Sequence, residues 1–259
     1  MTKQTLLAVP PSEATDNKKF SPHHGGEEVL SLPEPRRINS RLVSLLRPNS
    51  AEAAGYYRLR LATENLPRTD GATVLAVSSA REGEGKTLTA INLAGALAKN
   101  PANRVLLLEL DIRQPNTGVA KYLGVKRWPS KGVVEYLSND TALWNQSVYY
   151  VTKFNLYVMP VEKKSESPYE LLGSPRLGEL INEARHKYDY VIADTAPMTM
   201  VSDTQLIARW VDRFMIVVAA DRTTEGMLDE CMELMEPEKV LGLVFNACQP
   251  AGGRKSAYL

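Results

Sequence analysis

Eight consecutive residues, Ala80-Arg81-Glu82-Gly83-Glu84-Gly85-Lys86-Thr87, combine the residue types that gripping a phosphate chain demands. Gly83 and Gly85 let the backbone bend until its N–H groups point inward at anionic oxygens. Lys86 supplies a point charge for the outer phosphates, and Thr87 offers a hydroxyl to a magnesium ion. An apolar run precedes the motif and a helical pattern begins at Lys86, so the positive end of a helix dipole faces the same spot. Residues Arg81 to Leu88, with Glu82 and Glu84 inside the loop, are the expected phosphate-binding segment. Its first position is Ala80, where the strict pattern has glycine.

A phosphate loop performs no chemistry alone. Mg²⁺ favours six oxygens, keeps several waters and takes one or two carboxylates. In a parallel sheet these acids belong at the C-terminal ends of strands beside the loop's own strand. Two stretches supply them. In Leu106-Leu107-Leu108-Glu109-Leu110-Asp111-Ile112-Arg113, Glu109 and Asp111 are two apart and point the same way on strand geometry. In Val191-Ile192-Ala193-Asp194-Thr195-Ala196-Pro197, Asp194 ends a second apolar run. Thr87, Glu109, Asp111 and Asp194 are therefore the candidate metal-holding set. Asn246, at the end of the last apolar run, is either an adenine contact or a plain turn residue.

These residues need elements to carry them. Thr73–Ser79, Arg104–Leu110, Leu156–Pro160, Tyr190–Asp194, Arg213–Ala219 and Val240–Phe245 read as strands, apolar throughout. Helical patterning covers Lys86–Lys99, residues 169–186 with a break near Gly173-Ser174-Pro175, Val201–Val211 and Thr223–Met235. Buried strands alternating with helices predict an α/β fold, a mostly parallel sheet with helices on both faces. One domain is expected over 51–249, with a C-terminal tail at 250–259. Residues 1–50 are interrupted by Pro10, Pro11, Pro22, Pro33, Pro35 and Pro48, and read as largely disordered. Within them Ile38, Leu42, Leu45 and Leu46 share one helical face among Arg36, Arg37, Arg41 and Arg47. That piece is either a short helix packed on the domain or a basic element that docks on a membrane or partner.

Composition narrows the function classes. A net charge of +1 is too balanced for a protein that coats nucleic acid, and no nucleic-acid partner is expected. Cys231 and Cys248 match no metal or redox spacing and read as reduced thiols. His23 and His24 read as solvated, and Trp128, Trp144 and Trp210 as core or loop anchors. No apolar run approaches the roughly 20 residues that span a bilayer, so membrane contact is expected only through a partner or a surface helix.

The order GEGKT, an apolar strand ending in acid-x-Asp-x-Arg, then YDYVIADTAP resembles the bacterial tyrosine kinases of the P-loop type, over roughly residues 52–248. Arg113-Gln114-Pro115, Pro168-Tyr169-Glu170-Leu171-Leu172-Gly173-Ser174 and Val240–Asn246 extend the likeness. The resemblance implies a P-loop fold of the deviant Walker type shared with MinD and ParA. It implies ATP and Mg²⁺ as cofactors, autophosphorylation on tyrosine in trans, and control of exopolysaccharide or capsule polymerisation and export. Its implied partners are a transmembrane polysaccharide co-polymerase at the cytoplasmic face, further copies of the chain in a homo-oligomer, and a cognate tyrosine phosphatase. The implied location is cytoplasmic, peripheral to the inner membrane. By position, Lys86 and Thr87 fall in the first Walker motif, Glu109, Asp111 and Arg113 in the extra acidic motif, and Asp194 at the Walker B acid. Asp111, in the acidic loop past its strand, is the candidate acceptor of the tyrosine proton, and Tyr258 of the tail is the candidate phosphoacceptor, with Tyr149 or Tyr150 as alternatives.

Three departures stand out. Glu109 replaces the family's usual Asp. Tyr57 and Ala54 stand where its assembly helix has Arg and an acid, and the tail carries the single Tyr258 instead of a tyrosine cluster. They leave two other functions open: a non-catalytic nucleotide-sensing scaffold of the same machinery, and a ParA- or MinD-like switch ATPase. Against the second, Arg81 stands where that group has a further lysine.

Overall fold

The computed structural model describes residues 29–32, 37–67, 71–113, 115, 118–126, 128 and 131–247. Its strands are β1 (Leu30–Ser31), β2 (Thr73–Ser79), β3 (Val105–Glu109), β4 (Tyr149–Val151), β5 (Leu156–Met159), β6 (Tyr190–Asp194), β7 (Arg213–Ala219) and β8 (Val240–Asn246). Its helices are α1 (Val43–Leu46), α2 (Ala51–Glu64), α3 (Lys86–Ala98), α4 (Val119–Leu123), α5 (Val133–Ser138), α6 (Trp144–Ser147), α7 (Pro168–Gly173), α8 (Pro175–Lys187), α9 (Asp203–Ala208) and α10 (Glu225–Glu233).

The strands form one sheet in the order β1-β4-β5-β3-β6-β2-β7-β8, parallel throughout except for the β4–β5 pair. Every residue of β2, β3 and β6 is buried, as expected of strands covered on both faces. One face packs Leu75, Val77, Leu107 and Ile192 against α3, and the other packs Val74, Leu106, Val191 and Ile216 against α8 and α9. Register then places the chemistry. Asp194 pairs with Val77 on one side and with Glu109 on the other, and Leu110 donates its N–H to the Asp194 carbonyl at 2.7 Å. The β6 acid therefore lies beside the strand that feeds the phosphate loop, and the β3 acid one strand further out.

Ordered packing begins before residue 51. Val29 and Leu32 are buried, and β1 pairs with β4. Among the described residues of the arginine-flanked piece, Val43–Leu46 is helical, and Leu42, Val43 and Leu45 are buried. Leu45 fills space over Gly95 of α3, where a Cβ would stand 2.4 Å from its Cδ2. Leu42 and Leu45 of the apolar face thus pack on the domain, while Leu46 is exposed. Trp128 and Trp144 are core residues, Trp210 packs at the core's edge, and Cys231 is a buried thiol. No helix among the described residues is long and apolar enough to cross a membrane. Residues 1–28, including His23 and His24, and residues 248–259, including Cys248 and Tyr258, lie outside the described residues.

Candidate nucleotide and metal site

The loop from Ala80 to Gly85 leaves β2 and delivers the chain into α3 at Lys86. Gly85 sits at φ +99°, a left-handed conformation that side chains resist, and an added Cβ would meet Asn246 Nδ2 at 2.0 Å. That same Nδ2 donates to the Glu84 carbonyl at 2.8 Å, so the end of β8 braces the loop. A second brace comes from the turn after β7. Arg222 donates to the Gly83 carbonyl at 3.1 Å, and the Thr223 hydroxyl donates to Glu84 Oε1. Glu84 is buried, and its Oε2 accepts the Arg81 N–H at 3.0 Å. Its carboxylate therefore holds the loop's shape from behind and does not face a ligand.

Lys86 Nζ lies 2.8 Å from Asp111 Oδ2. Burial pushes the ammonium towards deprotonation, but the Asp194 and Asp111 carboxylates outweigh it and hold its pKa above the usual lysine range. Asp194 is fully buried, and neither of its oxygens meets a donor at full hydrogen-bond geometry among the described residues, although the Thr87 hydroxyl stands near enough to lower its pKa. Burial raises its pKa to about 6, with Lys86 the strongest opposing influence. An ionisable group orphaned in this way is costly unless something else satisfies it. Glu109 is equally buried but fully engaged: Oε1 accepts the Val119 N–H and Oε2 the Val161 N–H, each at 2.8 Å. Burial raises its pKa to about 8 against those two donors.

Glu82, Gly83, Gly85, Lys86, Thr87, Leu88, Glu109, Asp111, Asp194 and Asn246 line one cavity of about 370 Å³. The sequence's nucleotide and metal residues thus converge, with three exceptions. Glu84 is the brace described above. Arg81 is exposed and reaches towards Glu230 at 3.8 Å, away from the cavity. Arg113 forms a two-pronged pair with Asp203 at 2.8 and 2.7 Å; Asp203 is fully buried at the start of α9, and that buried carboxylate claims the guanidinium. Glu109 lines the cavity as well, with each of its oxygens accepting one backbone N–H. Arg41, Gly118, Tyr122, Arg222 and Ala247 line the cavity without having been singled out for it. Arg41 and Arg222 carry no motif signal, since contacts formed across 45 and 139 residues leave no local pattern.

The residues present fit a magnesium ion. Among the described residues no three histidines, cysteines or acids converge into a ready-made cage. Mg²⁺ needs none, because it is usually held jointly by one or two carboxylates and the phosphates of its nucleotide. Asp194, with its orphaned oxygens, is the strongest candidate, with Thr87 and Asp111 beside it.

Fold and site together define a P-loop nucleotide-binding α/β protein. The AAA domain family model matches residues 72–236, more than half of the chain. The tyrosine-protein kinase CpsD of Streptococcus agalactiae is 32% identical over 176 residues, covering 67% of this chain and 73% of CpsD. The chain belongs to this family, the bacterial P-loop tyrosine kinases. The succinoglycan biosynthesis transport protein ExoP of Rhizobium meliloti is 31% identical over 225 residues, which are 85% of this chain and 28% of ExoP. The kinase domain of the Escherichia coli tyrosine kinase ETK superposes with a TM-score of 0.72 at 24% identity, over 85% of this chain and 86% of that domain, and shares its fold.

Proposed function

We propose that the chain is a MgATP-dependent protein-tyrosine kinase of exopolysaccharide or capsule production, working with a membrane-embedded polysaccharide co-polymerase. The observation that carries this reading is the Lys86–Asp111 pair, set beside Thr87 and the orphaned, buried Asp194 in one cavity. Relatives named as tyrosine kinases and as a polysaccharide transport protein support it. Phosphoryl transfer asks chiefly for positioning and charge neutralisation. The loop amides from Gly83 to Thr87 and the α3 dipole bind and orient the phosphates. Thr87, Asp194 and Asp111 would hold Mg²⁺, which when bound neutralises phosphate charge. Lys86 adds a fixed cation to the same group. A tyrosine hydroxyl, with a pKa of about 10, must lose its proton during attack. Asp111, part-exposed at the cavity and outside the Glu109 clamp, is the residue to take it.

The test is intact-mass and peptide-mapping mass spectrometry after incubation with MgATP, with the co-polymerase's cytoplasmic segment present. Wild type should gain phosphate on tyrosine, and Lys86→Met should lose roughly 10²-fold or more of that rate. Normal transfer by Lys86→Met would defeat the mechanism. Absence of any tyrosine phosphate in wild type would defeat the kinase reading, and free phosphate release in the same tubes would then identify a switch ATPase.

A further inference from the structure

Three cationic side chains line the cavity: Lys86, Arg222 and Arg41. Lys86 is paired with Asp111, and Arg222 is bonded to the Gly83 carbonyl. The Arg41 guanidinium makes no ion pair or hydrogen bond with any described residue, although its backbone is held on both sides. That backbone belongs to a strap, residues 39–46, which crosses the helix carrying Lys86 and Thr87. Asn92, fully buried on the second turn of α3, fixes the strap directly. Its Nδ2 donates to the Arg41 carbonyl at 3.1 Å and to the Leu88 carbonyl at 3.0 Å, and its Oδ1 accepts the Ser44 N–H at 3.0 Å. Asn39 ties the strap's start to the Tyr122 carbonyl of α4 at 2.8 Å, and Leu45 locks its end over Gly95. One buried amide therefore sets both the end of the phosphate-binding turn and the position of Arg41.

Building this on the reading of the cavity as a nucleotide site, we propose that Arg41 is a phosphate-contacting residue delivered by the N-terminal strap, so that nucleotide binding and strap docking on α3 reinforce each other. The cavity wall carries Glu82, Asp111 and Asp194; Lys86 is paired with Asp111 and Arg222 holds the Gly83 carbonyl, so a polyphosphate entering the cavity gains from a further, uncommitted cation. Arginine's planar fork suits that task, because it grips phosphate oxygens in pairs and stays charged. Reciprocity follows from linkage: whatever lifts the strap from Asn92 weakens nucleotide binding by the same factor by which nucleotide steadies the strap.

The experiment measures MgATP and MgADP affinity by calorimetry for wild type, Arg41→Ala, Arg41→Lys and Lys86→Met. It also follows amide hydrogen exchange across residues 42–46 with and without MgATP. Arg41→Ala should bind MgATP about 10-fold more weakly, the scale of one charge-assisted hydrogen bond, with Arg41→Lys between the two. Unfolding midpoints without nucleotide should not move, because the side chain is exposed. MgATP should slow exchange at Ser44–Leu46 in wild type and fail to do so in Arg41→Ala. Unchanged affinity in Arg41→Ala, or strap exchange indifferent to MgATP in wild type, overturns the proposal. If wild type binds no nucleotide at all, the reading of the cavity falls with it. If wild type binds and only Lys86→Met is impaired, the cavity reading stands and the strap proposal alone fails.

Discussion

Glu109 occupies the position of an acidic motif yet does the work of a staple. Its two oxygens accept the N–H groups of Val119 and Val161, joining β3 to the start of α4 and to the segment after β5. The extra methylene relative to Asp lets the carboxylate bridge both at once. Glu109→Leu keeps most of the size but leaves the Val119 and Val161 N–H groups without an acceptor. It should destabilise the protein by about 1–3 kcal/mol, read as a lower urea midpoint with an unchanged slope; an unmoved midpoint would show that the staple carries no weight. Cys231 offers a pH-dependent test. Burial pushes its thiol from 9.0 up to about 11. A folded pKa above the unfolded one means the thiol's contribution is intact below pH 9 and is lost as pH rises towards 11. At pH 8 its alkylation by iodoacetamide should therefore run roughly 100-fold slower in native than in urea-unfolded protein; equal rates would refute the burial. The convergence of Lys86, Thr87 and Asp194 on one cavity was legible because a glycine-rich loop between strand and helix, with an acid at a strand end, restricts residue type and spacing. The roles of Glu84, Arg113 and Glu109 were not, because each is fixed by a partner from elsewhere in the chain: Thr223, Asp203 and Val161.

Legibility among the elements follows burial. β2, β6 and β7 match their expected bounds, and β3 and β5 differ only at their ends, because buried parallel strands write unbroken apolar runs; β8, a part-exposed edge strand, is one residue longer than its run. β1 and β4 escaped notice: two and three residues are too short for any periodicity, and β4 runs antiparallel on the sheet's far side. α9 is shorter than its pattern, Asp203–Ala208 against Val201–Val211, because its start is fixed where buried Asp203 meets Arg113. The strap was legible as an apolar face but not as a wall of the site. α3 is almost wholly buried, since the sheet covers one side and α1 and α2 the other. That sandwich makes Gly95 a pressure point. Gly95→Ala would drive a methyl into Leu45, and overpacking of this kind costs about 1–3 kcal/mol. Denaturation should show that loss, and proteolysis near residues 39–46 should quicken. A variant as stable and as protease-resistant as wild type would mean the strap does not depend on this contact.

At the scale of the whole molecule, the fold decides which tyrosine can reach a γ-phosphate. The chain has 11 tyrosines. Tyr136, Tyr149, Tyr150, Tyr157, Tyr188 and Tyr190 are buried in the core. Tyr149 donates its hydroxyl to the Lys131 carbonyl at 2.9 Å, and Tyr150 to Asn155 Oδ1 at 3.0 Å, so both sequence-level alternatives to Tyr258 are committed inside the sheet. Presenting either to a second active site would require opening β4 from β5, and such sub-global opening draws on much of the protein's stability. Tyr56, Tyr57 and Tyr122 are half-buried, and among the described residues Tyr169 alone is exposed, at 55%. Tyr258 lies eleven residues beyond Ala247, which lines the cavity, so the tail starts at the rim of the site it is proposed to serve. Peptide mapping after MgATP should therefore place phosphate on Tyr258, and Tyr258→Phe should remove most of the incorporation while leaving nucleotide affinity unchanged. Wild type should also phosphorylate Lys86→Met protein mixed with it, since that variant keeps the tail and lacks only the cation. Phosphate on the Tyr149–Tyr150 peptide of folded protein would show that β4 opens far more readily than its packing allows, and would move the acceptor from the tail into the sheet.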